Sequence, residues 1–266
     1  MLAFPHIDPV IVHLGPLQVR WYGLMYVLGF TASWLLVSLQ IRRHGLTELA
    51  RHFENLNLTL ILSLVAGGRL GYVLFYNLPY YLENPLEIPA TWQGGMSFHG
   101  ALIGMVLGGL IFCRVTGLPF WQCADVYFVT TPIGLGLGRI GNFLNGELYG
   151  RVSDLPWAMV FPAAGPLPRH PSQLYEAGLE GVLLFAFLWA MQASYWRNHW
   201  PAGSLTALFL IGYGLCRVAV ELVREPDAQL GFVIGSLTMG QLLSFAMLAA
   251  GLAILLLRRN QEGAPA

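Results

Sequence analysis

The chain of 266 residues is 56% hydrophobic and only 11% charged, with a mean hydropathy of +0.59, a composition too apolar for a soluble domain and typical of an integral membrane protein. All 14 basic residues are Arg and they balance 14 acidic ones, so no basic face exists to hold nucleic acid. Cys113, Cys123 and Cys216 sit in apolar surroundings without C-x-x-C or Cys/His spacing, which argues against a disulfide framework and a metal site and leaves them as small buried hydrophobes.

The first segment, "MLAFPHIDPVIVHLGPLQVR", lacks the basic n-region and apolar h-region of a cleavable signal peptide, and its Pro and Gly break any long helix. Seven apolar stretches of the length needed to cross a hydrocarbon core then follow, at 21–39, 56–76, 97–113, 121–141, 173–193, 203–223 and 235–257. Arg42, Arg43 and Arg51 follow the first stretch, Arg114 lies between the third and fourth, Arg197 between the fifth and sixth, and Arg258 with Arg259 after the seventh. These are alternate connections, which the positive-inside rule makes cytoplasmic, so the N-terminus is expected in the periplasm and the C-terminus in the cytoplasm. "YNLPYY" at the outer edge of the second stretch and "YWRNHW" at the inner edge of the fifth agree, since amphipathic rings favour the interface. The expected fold is an all-α polytopic membrane protein of about seven transmembrane helices. It forms one integral membrane domain, 1–266, with 77–96 and 150–171 as periplasmic-side loop segments.

Against this bias, Arg20, Arg69, Arg139, Arg151, Arg169, Arg217 and Arg224 fall within spans or on the outer side. An Arg near a helix centre costs about 2.5–3.5 kcal/mol on insertion scales, so such residues face an interior and pair. Internal ion pairing accounts for any single one; several near the same leaflet favour a shared anionic ligand. In "GLCRVAVELVREPD", Arg217, Glu221 and Arg224 are spaced i, i+4, i+7, on one helical face near the outer end of the sixth span. Arg139 and Asn142 are i, i+3, with Gly134, Gly136, Gly138 and Gly141 around them allowing close approach of another helix or a ligand. "GLGRIG" matches the dinucleotide-binding pattern literally, but it ends a membrane-spanning run with no preceding strand.

In "WQGGMSFHGALIG", His99 stands between two small-residue clusters at the outer boundary, placed to accept a proton or to bond a lipid head group. In "RHPSQLYE", Pro171 suits a first helical position, and Glu176 reads in part as a partner of the positive end of the helix dipole. Outward arginines, a His and amides, with no metal-ligand set and no Ser/His/Asp nucleophile, suit a phosphate-bearing substrate. Guanidinium groups grip phosphate bidentately and stabilise its charge as it departs. In a membrane, that substrate is a phospholipid.

These blocks carry a resemblance. "GRIGNFLNGELYGR" is similar to the signature of the prolipoprotein diacylglyceryl transferases of the bacterial inner membrane, and "RWYGLMYVLGF", "GGRLGYVLFYN", "GGMSFHGALIG", "RHPSQLYE" and "RVAVELVREPDAQLG" resemble that family's other blocks in the same order. The resemblance implies transfer of the diacylglyceryl group from phosphatidylglycerol to the lipobox cysteine thiol of a preprolipoprotein signal peptide, with glycerol phosphate leaving. It implies that Arg139 binds the lipid phosphate and that Arg217 stabilises charge as the phosphate leaves. Asn142, Glu147 and Gly150 belong to the signature, Tyr22 and Asn145 are pocket residues, Glu221 orients Arg217, and Arg224 completes the substrate-binding set. The nucleophile belongs to the substrate, which fits a chain whose own cysteines have no activating neighbours. His99 is the candidate base, although a thiol of pKa about 8.5 in a cationic pocket is already partly ionised. The site is expected toward the periplasmic leaflet, in contact with membrane lipids, without cofactor or metal. The rival readings are a lipid flippase or transporter and a non-catalytic membrane subunit. No internal repeat is visible and the polar motifs gather near span ends rather than at the midplane, which favours an enzyme.

Overall fold

The computed structural model describes residues 2–5, 7–14, 17–225, 232–235 and 237–260; the last part of the sixth quoted block, 226–231, lies outside them. In chain order the elements are β1 (Leu2–Ala3), β2 (Val10–Leu14), β3 (Leu17–Arg20), α1 (Trp21–Arg43), α2 (Thr47–Tyr76), α3 (Leu78–Glu83), α4 (Phe98–Thr116), α5 (Phe120–Phe128), α6 (Thr131–Leu144), β4 (Met159–Val160), α7 (Ser172–Glu176), α8 (Leu184–Arg197), α9 (Ser204–Glu221), β5 (Phe232–Ile234), β6 (Leu237–Thr238) and α10 (Met239–Arg258). A π-helical stretch, Ala177–Leu183, joins α7 to α8 without a break.

Among the described residues, six helices are long and apolar enough to cross a membrane: α1, α2, α4, the run Ser172–Arg197, α9 and α10. Their large apolar side chains point outward, as with Val27 at 60% exposure, Ile111 at 61% and Leu256 at 65%, an arrangement suited to lipid as solvent. The stretch 121–141, expected as one span, is instead two helices. Thr130 and Thr131 both turn their hydroxyls onto the Tyr127 carbonyl, and Pro132 lies in the first turn of α6, where it supplies no N–H to continue the α5 ladder.

The residues form two compact units, Gly45–Cys123, and Met1–His44 with Ala124–Ala266. In the first, α2 and α4 are zipped through small residues. A Cβ on Gly100 would lie 2.4 Å from the Gly67 carbonyl oxygen, and one on Gly104 would lie 2.3 Å from that of Ser63. With apolar lipid outside, such backbone contact supplies the dispersion attraction that holds membrane helices together. Arg69 of α2 is only 4% exposed. It donates to the carbonyls of Glu87, Ile88 and Gly94 at 2.6–2.8 Å and stacks over Tyr81. This arginine organises the segment after α2, which corrects its expected place among anion-binding arginines.

In the other unit α1 packs on α6, with Gly29 against Gly134 and the Tyr22 ring against Gly141. Ser33 and Thr130 share a 2.7 Å hydroxyl bond, and buried Gln40 donates to the Val126 carbonyl. Gly136 of α6 meets Gly181 of the π stretch. Val129, Leu184, Leu188, Tyr195, Leu205 and Phe209 form the apolar core between α5, α8 and α9. Asp125, fully buried, accepts from the Gly203 and Thr206 amides and the Thr206 hydroxyl at 2.6–2.8 Å. It thereby caps α9 from a different helix, satisfying donors that α9 cannot satisfy itself.

Candidate active site

The site is built where α6, α7 and α9 end near one another. Glu176, only 1% exposed, is its hub: Arg139 Nε lies 2.5 Å from one carboxylate oxygen, and Arg217 Nη1 at 3.2 Å and Arg224 Nε at 3.8 Å lie by the other. Arg217 also pairs with Glu221 at 2.9 Å, one helical turn on, and approaches Glu180 at 3.8 Å. Glu180 stands four residues after Glu176, inside the π stretch, whose wider turn is a feature often found at functional sites.

Glu221 has further support. The Thr238 hydroxyl donates to it at 2.9 Å, and Gly240 in the first turn of α10 leaves room that a Cβ would fill, 2.7 Å from its carboxylate. Thr238 and Gln241 complete a capping box, so the carboxylate lies at the positive end of the α10 dipole. The regular part of α9 ends at Glu221, so Arg224 is not on the helix as its spacing implied. Its amide still donates to the Val220 carbonyl at 3.0 Å, which carries the turn far enough to bring Arg224 to Glu176.

Three cations and three anions balance formally, which lets the cluster persist in an apolar surrounding. Their depths differ. The Glu176 and Glu180 side chains are 1% and 0% exposed, whereas Arg139 is the most open member at 20%. The accessible side of the cluster is therefore cationic, and Arg139 meets Glu176 through Nε while its guanidinium stays the most exposed of the three. That fork matches a phosphate or carboxylate.

The signature loop after α6 is tied to the same place. Buried Asn142 donates to Glu147 at 2.9 Å and Asn145 to the same oxygen at 3.2 Å. The Glu147 carbonyl accepts from the Gln173 amide at 2.6 Å, and the Leu148 carbonyl from Ser172. Gly146 and Leu148 both have positive φ, 67° and 59°, which turns the chain sharply. At Gly150 three backbones converge: its amide bonds the His170 carbonyl, and a Cβ would lie 2.6 Å from the Val223 carbonyl oxygen. Arg151 bonds the Arg224 carbonyl, and Arg169 pairs with Glu225 over the Tyr149 ring. Arg20 pairs only with exposed Gln18 among the described residues. Of the seven arginines singled out by their position, three form the cluster.

A model of the family described as prolipoprotein diacylglyceryl transferase matches residues 9–257. The chain belongs to the prolipoprotein diacylglyceryl transferase family. A phosphatidylglycerol--prolipoprotein diacylglyceryl transferase of Desulfotalea psychrophila is 58% identical over 98% of this chain and 96% of its own length. Relatives of the same name from Geobacter sulfurreducens, 52% identical over 97% of this chain and 99% of their own length, and from Pseudomonas aeruginosa, 49% identical over 99% and 98%, are similar throughout.

Within this transferase fold, Arg139, Arg217, Glu221 and Arg224 come together in one cluster, Asn142 in the last turn of α6 meets Glu147 of the adjoining loop that also carries Asn145 and Gly150, and Tyr22 packs against Gly141 beside them. His99 belongs to the other unit. It is exposed at the start of α4, after Ser97, whose hydroxyl caps that helix. Glu176 was read from sequence as a helix-dipole partner, but it makes no capping bond and instead binds three guanidiniums. Glu180, Gln173 and Ser172 were missed. An acidic pair spaced i, i+4 at the start of an apolar span was the available signal.

Proposed function

We propose that this chain transfers the diacylglyceryl group of phosphatidylglycerol to the cysteine thiol of a prolipoprotein lipobox. The observation that carries the reading is the open guanidinium fork of Arg139, backed by a carboxylate that Arg217 and Arg224 share. In the proposed step the substrate thiolate attacks the glyceryl carbon that bears the phosphate. A C–S thioether bond forms, the C–O bond breaks, and glycerol phosphate leaves with the bonding pair.

A phosphodiester carries one negative charge and the departing monoester gains a second. A cationic surface therefore binds the leaving group more strongly than the bound lipid, the condition for catalysis rather than mere binding. Arg139 takes the phosphate, and Arg217 adds positive field from deeper in the protein while Glu221 fixes its orientation. Arg224, Asn142, Asn145, Glu147, Gly150 and Tyr22 shape the substrate pocket, and His99 receives the thiol proton.

The chain sits in the bacterial inner membrane as one integral domain. In this reading α5 with α6 makes the fourth of seven crossings, the N-terminus is periplasmic, the C-terminus cytoplasmic, and the site serves the periplasmic leaflet. The Arg-rich alternate connections support that orientation.

The test is glycerol phosphate release by purified protein given phosphatidylglycerol and a lipobox peptide, beside Arg139→Ala and a peptide with Ala for Cys. Release that requires both the peptide thiol and Arg139 supports the reading. No release from folded protein with both substrates present overturns it in favour of lipid transport.

A further inference from the structure

At the end of the molecule away from the Glu176 cluster, the C-terminal turns of α1 and α8 enclose a cavity of about 480 Å³ lined by Arg43, His44, Trp189, Gln192, Trp196 and Arg197. From Tyr22 beside the cluster to Arg43 along α1, or from Glu176 to Arg197 along the α7–α8 run, the path at about 1.5 Å per residue covers about 30 Å, the thickness of a hydrocarbon core. The cavity therefore faces the opposite leaflet from the proposed active site.

Cations in the last turn of a helix offset its dipole, which accounts for Arg43 and Arg197 being present there. It does not account for the walls between them. Gln192 is 3% exposed, and its Oε1, the Trp196 indole Nε1 and the His44 Nε2 are all buried with no hydrogen-bond partner. An indole N–H can only donate, and buried polar groups without partners are costly. The His44 ring stacks on Trp196 at 4.7 Å, so these polar atoms are held in one small region.

What would fill it is legible in the two helix faces. On α1, exposed Leu35 and Leu39 lead up to Arg43 at i, i+4, i+8; on α8, Trp189 and exposed Ala193 lead up to Arg197 at the same spacing. Each face is an apolar ladder ending in a guanidinium at the interface, with Trp rings at head-group level. A soluble anion would use the arginines and ignore the ladders. An acyl-bearing anion uses both.

We propose that this cavity is a second, non-catalytic site for the head group of an anionic phospholipid, its phosphate between Arg43 and Arg197, its polar head against Gln192 and Trp196, and its chains along the two ladders. Basic pockets between helices are an established way for membrane proteins to hold such lipids.

The experiment is native mass spectrometry of the full-length protein in detergent with dioleoyl phosphatidylserine, an anionic lipid that is not the proposed donor, against dioleoyl phosphatidylcholine. Wild type should retain the serine lipid with a preference of about tenfold. Arg43→Gln with Arg197→Gln should lose that preference, and Trp196→Phe, which keeps the stacked ring and removes the donor, should weaken it severalfold. Arg42→Gln with Arg51→Gln removes the same charge outside the cavity and should keep it. Equal retention of both lipids by wild type, or equal loss in the two double variants, would overturn the site. So would displacement of the lipid by inorganic phosphate alone. Because the probe is not the donor lipid, failure of the transferase assay and failure of this one are separately readable.

Discussion

Arg139 Nε and Glu176 Oε2 are 2.5 Å apart, and that contact joins the end of α6 to the end of α7. Arg139 is also the most exposed guanidinium of the cluster, at 20%, so its side chain is anchored inward and open outward. Lys in its place would keep a charge facing Glu176 and lose the fork. Arg139→Lys is expected to lower turnover by about a hundredfold, in the range found for removing one donor from a transition-state site, with little change in thermal unfolding. Steady-state release of glycerol phosphate and the unfolding midpoint, measured on one preparation, check this. Near-normal turnover would remove Arg139 from phosphate recognition.

Glu176→Gln differs in kind. One buried carboxylate is shared by three guanidiniums, and removing its charge leaves them facing one another. Breaking a buried ion pair from one side costs about 3–5 kcal/mol, so this variant should lose stability together with activity. Thermal unfolding in detergent should show a clearly lower midpoint than for Arg139→Lys.

Much of this site was legible in advance because its arginines lie where insertion energetics say they should not. The i, i+4 pairing of Arg217 with Glu221 followed directly from helical periodicity. Glu176 was misread because its three partners come from α6, α9 and the turn after α9, contacts that no local spacing reveals. Arg69 was misread for the opposite reason: an intramembrane Arg looks the same in sequence whether it serves a ligand or the carbonyls of a following segment. The break between α5 and α6 escaped because a window of apolar composition averages over Thr130, Thr131 and Pro132. The glycine zipper of α2 and α4 went unread, although its G-x-x-x-G spacing stands in the sequence at Gly67 with Gly71 and Gly100 with Gly104.

That zipper makes a steric prediction. Gly104→Leu must push α4 away from the Ser63 carbonyl, which a Cβ alone would approach to 2.3 Å. Overpacking of this kind costs about 1–3 kcal/mol or more. Gly23→Ala in α1, where a Cβ meets nothing within 4 Å, should be tolerated or slightly stabilising, since Ala restricts the unfolded chain. Comparing unfolding midpoints of the two variants separates close packing from a general dislike of substitution.

Asp125 offers a stability effect without a catalytic one. Its carboxylate holds two amides and a hydroxyl at the start of α9, about 20 Å along that helix from Arg217 at 1.5 Å per residue. Asp125→Ala would leave those donors buried and unpaired, at about 1–3 kcal/mol for each group so stranded. The expected outcome is a large fall in folded yield and midpoint, with turnover per folded molecule kept. A turnover loss beyond the loss of folded protein would mean that α9 transmits the cap to the site.

Below neutral pH, His170 should matter. Its backbone pairs with Gly150 and Arg151, and burial pushes its imidazole below the usual value of 6.5. The folded state then binds a proton less readily than the unfolded chain, so stability is unaffected above that value and falls as pH drops from it toward the depressed folded pKa. His170→Gln should show a flatter stability profile between neutrality and about pH 5. Identical slopes in variant and wild type would assign the acid sensitivity elsewhere.

The proton transfer proposed for His99 is tested by the pH dependence of turnover. It stands exposed at the start of α4, capped by Ser97. If it receives the thiol proton, His99→Gln should lower turnover by about a hundredfold or more, as for loss of a general base, and should flatten the acid limb of the pH–rate profile. If the cationic face alone lowers the substrate thiol's pKa, the reaction needs no base. The variant would then keep most activity, and the profile would track thiol ionisation in wild type and variant alike. A substrate peptide with a more acidic thiol sharpens the distinction. It should rescue His99→Gln only where proton removal is what the histidine supplies.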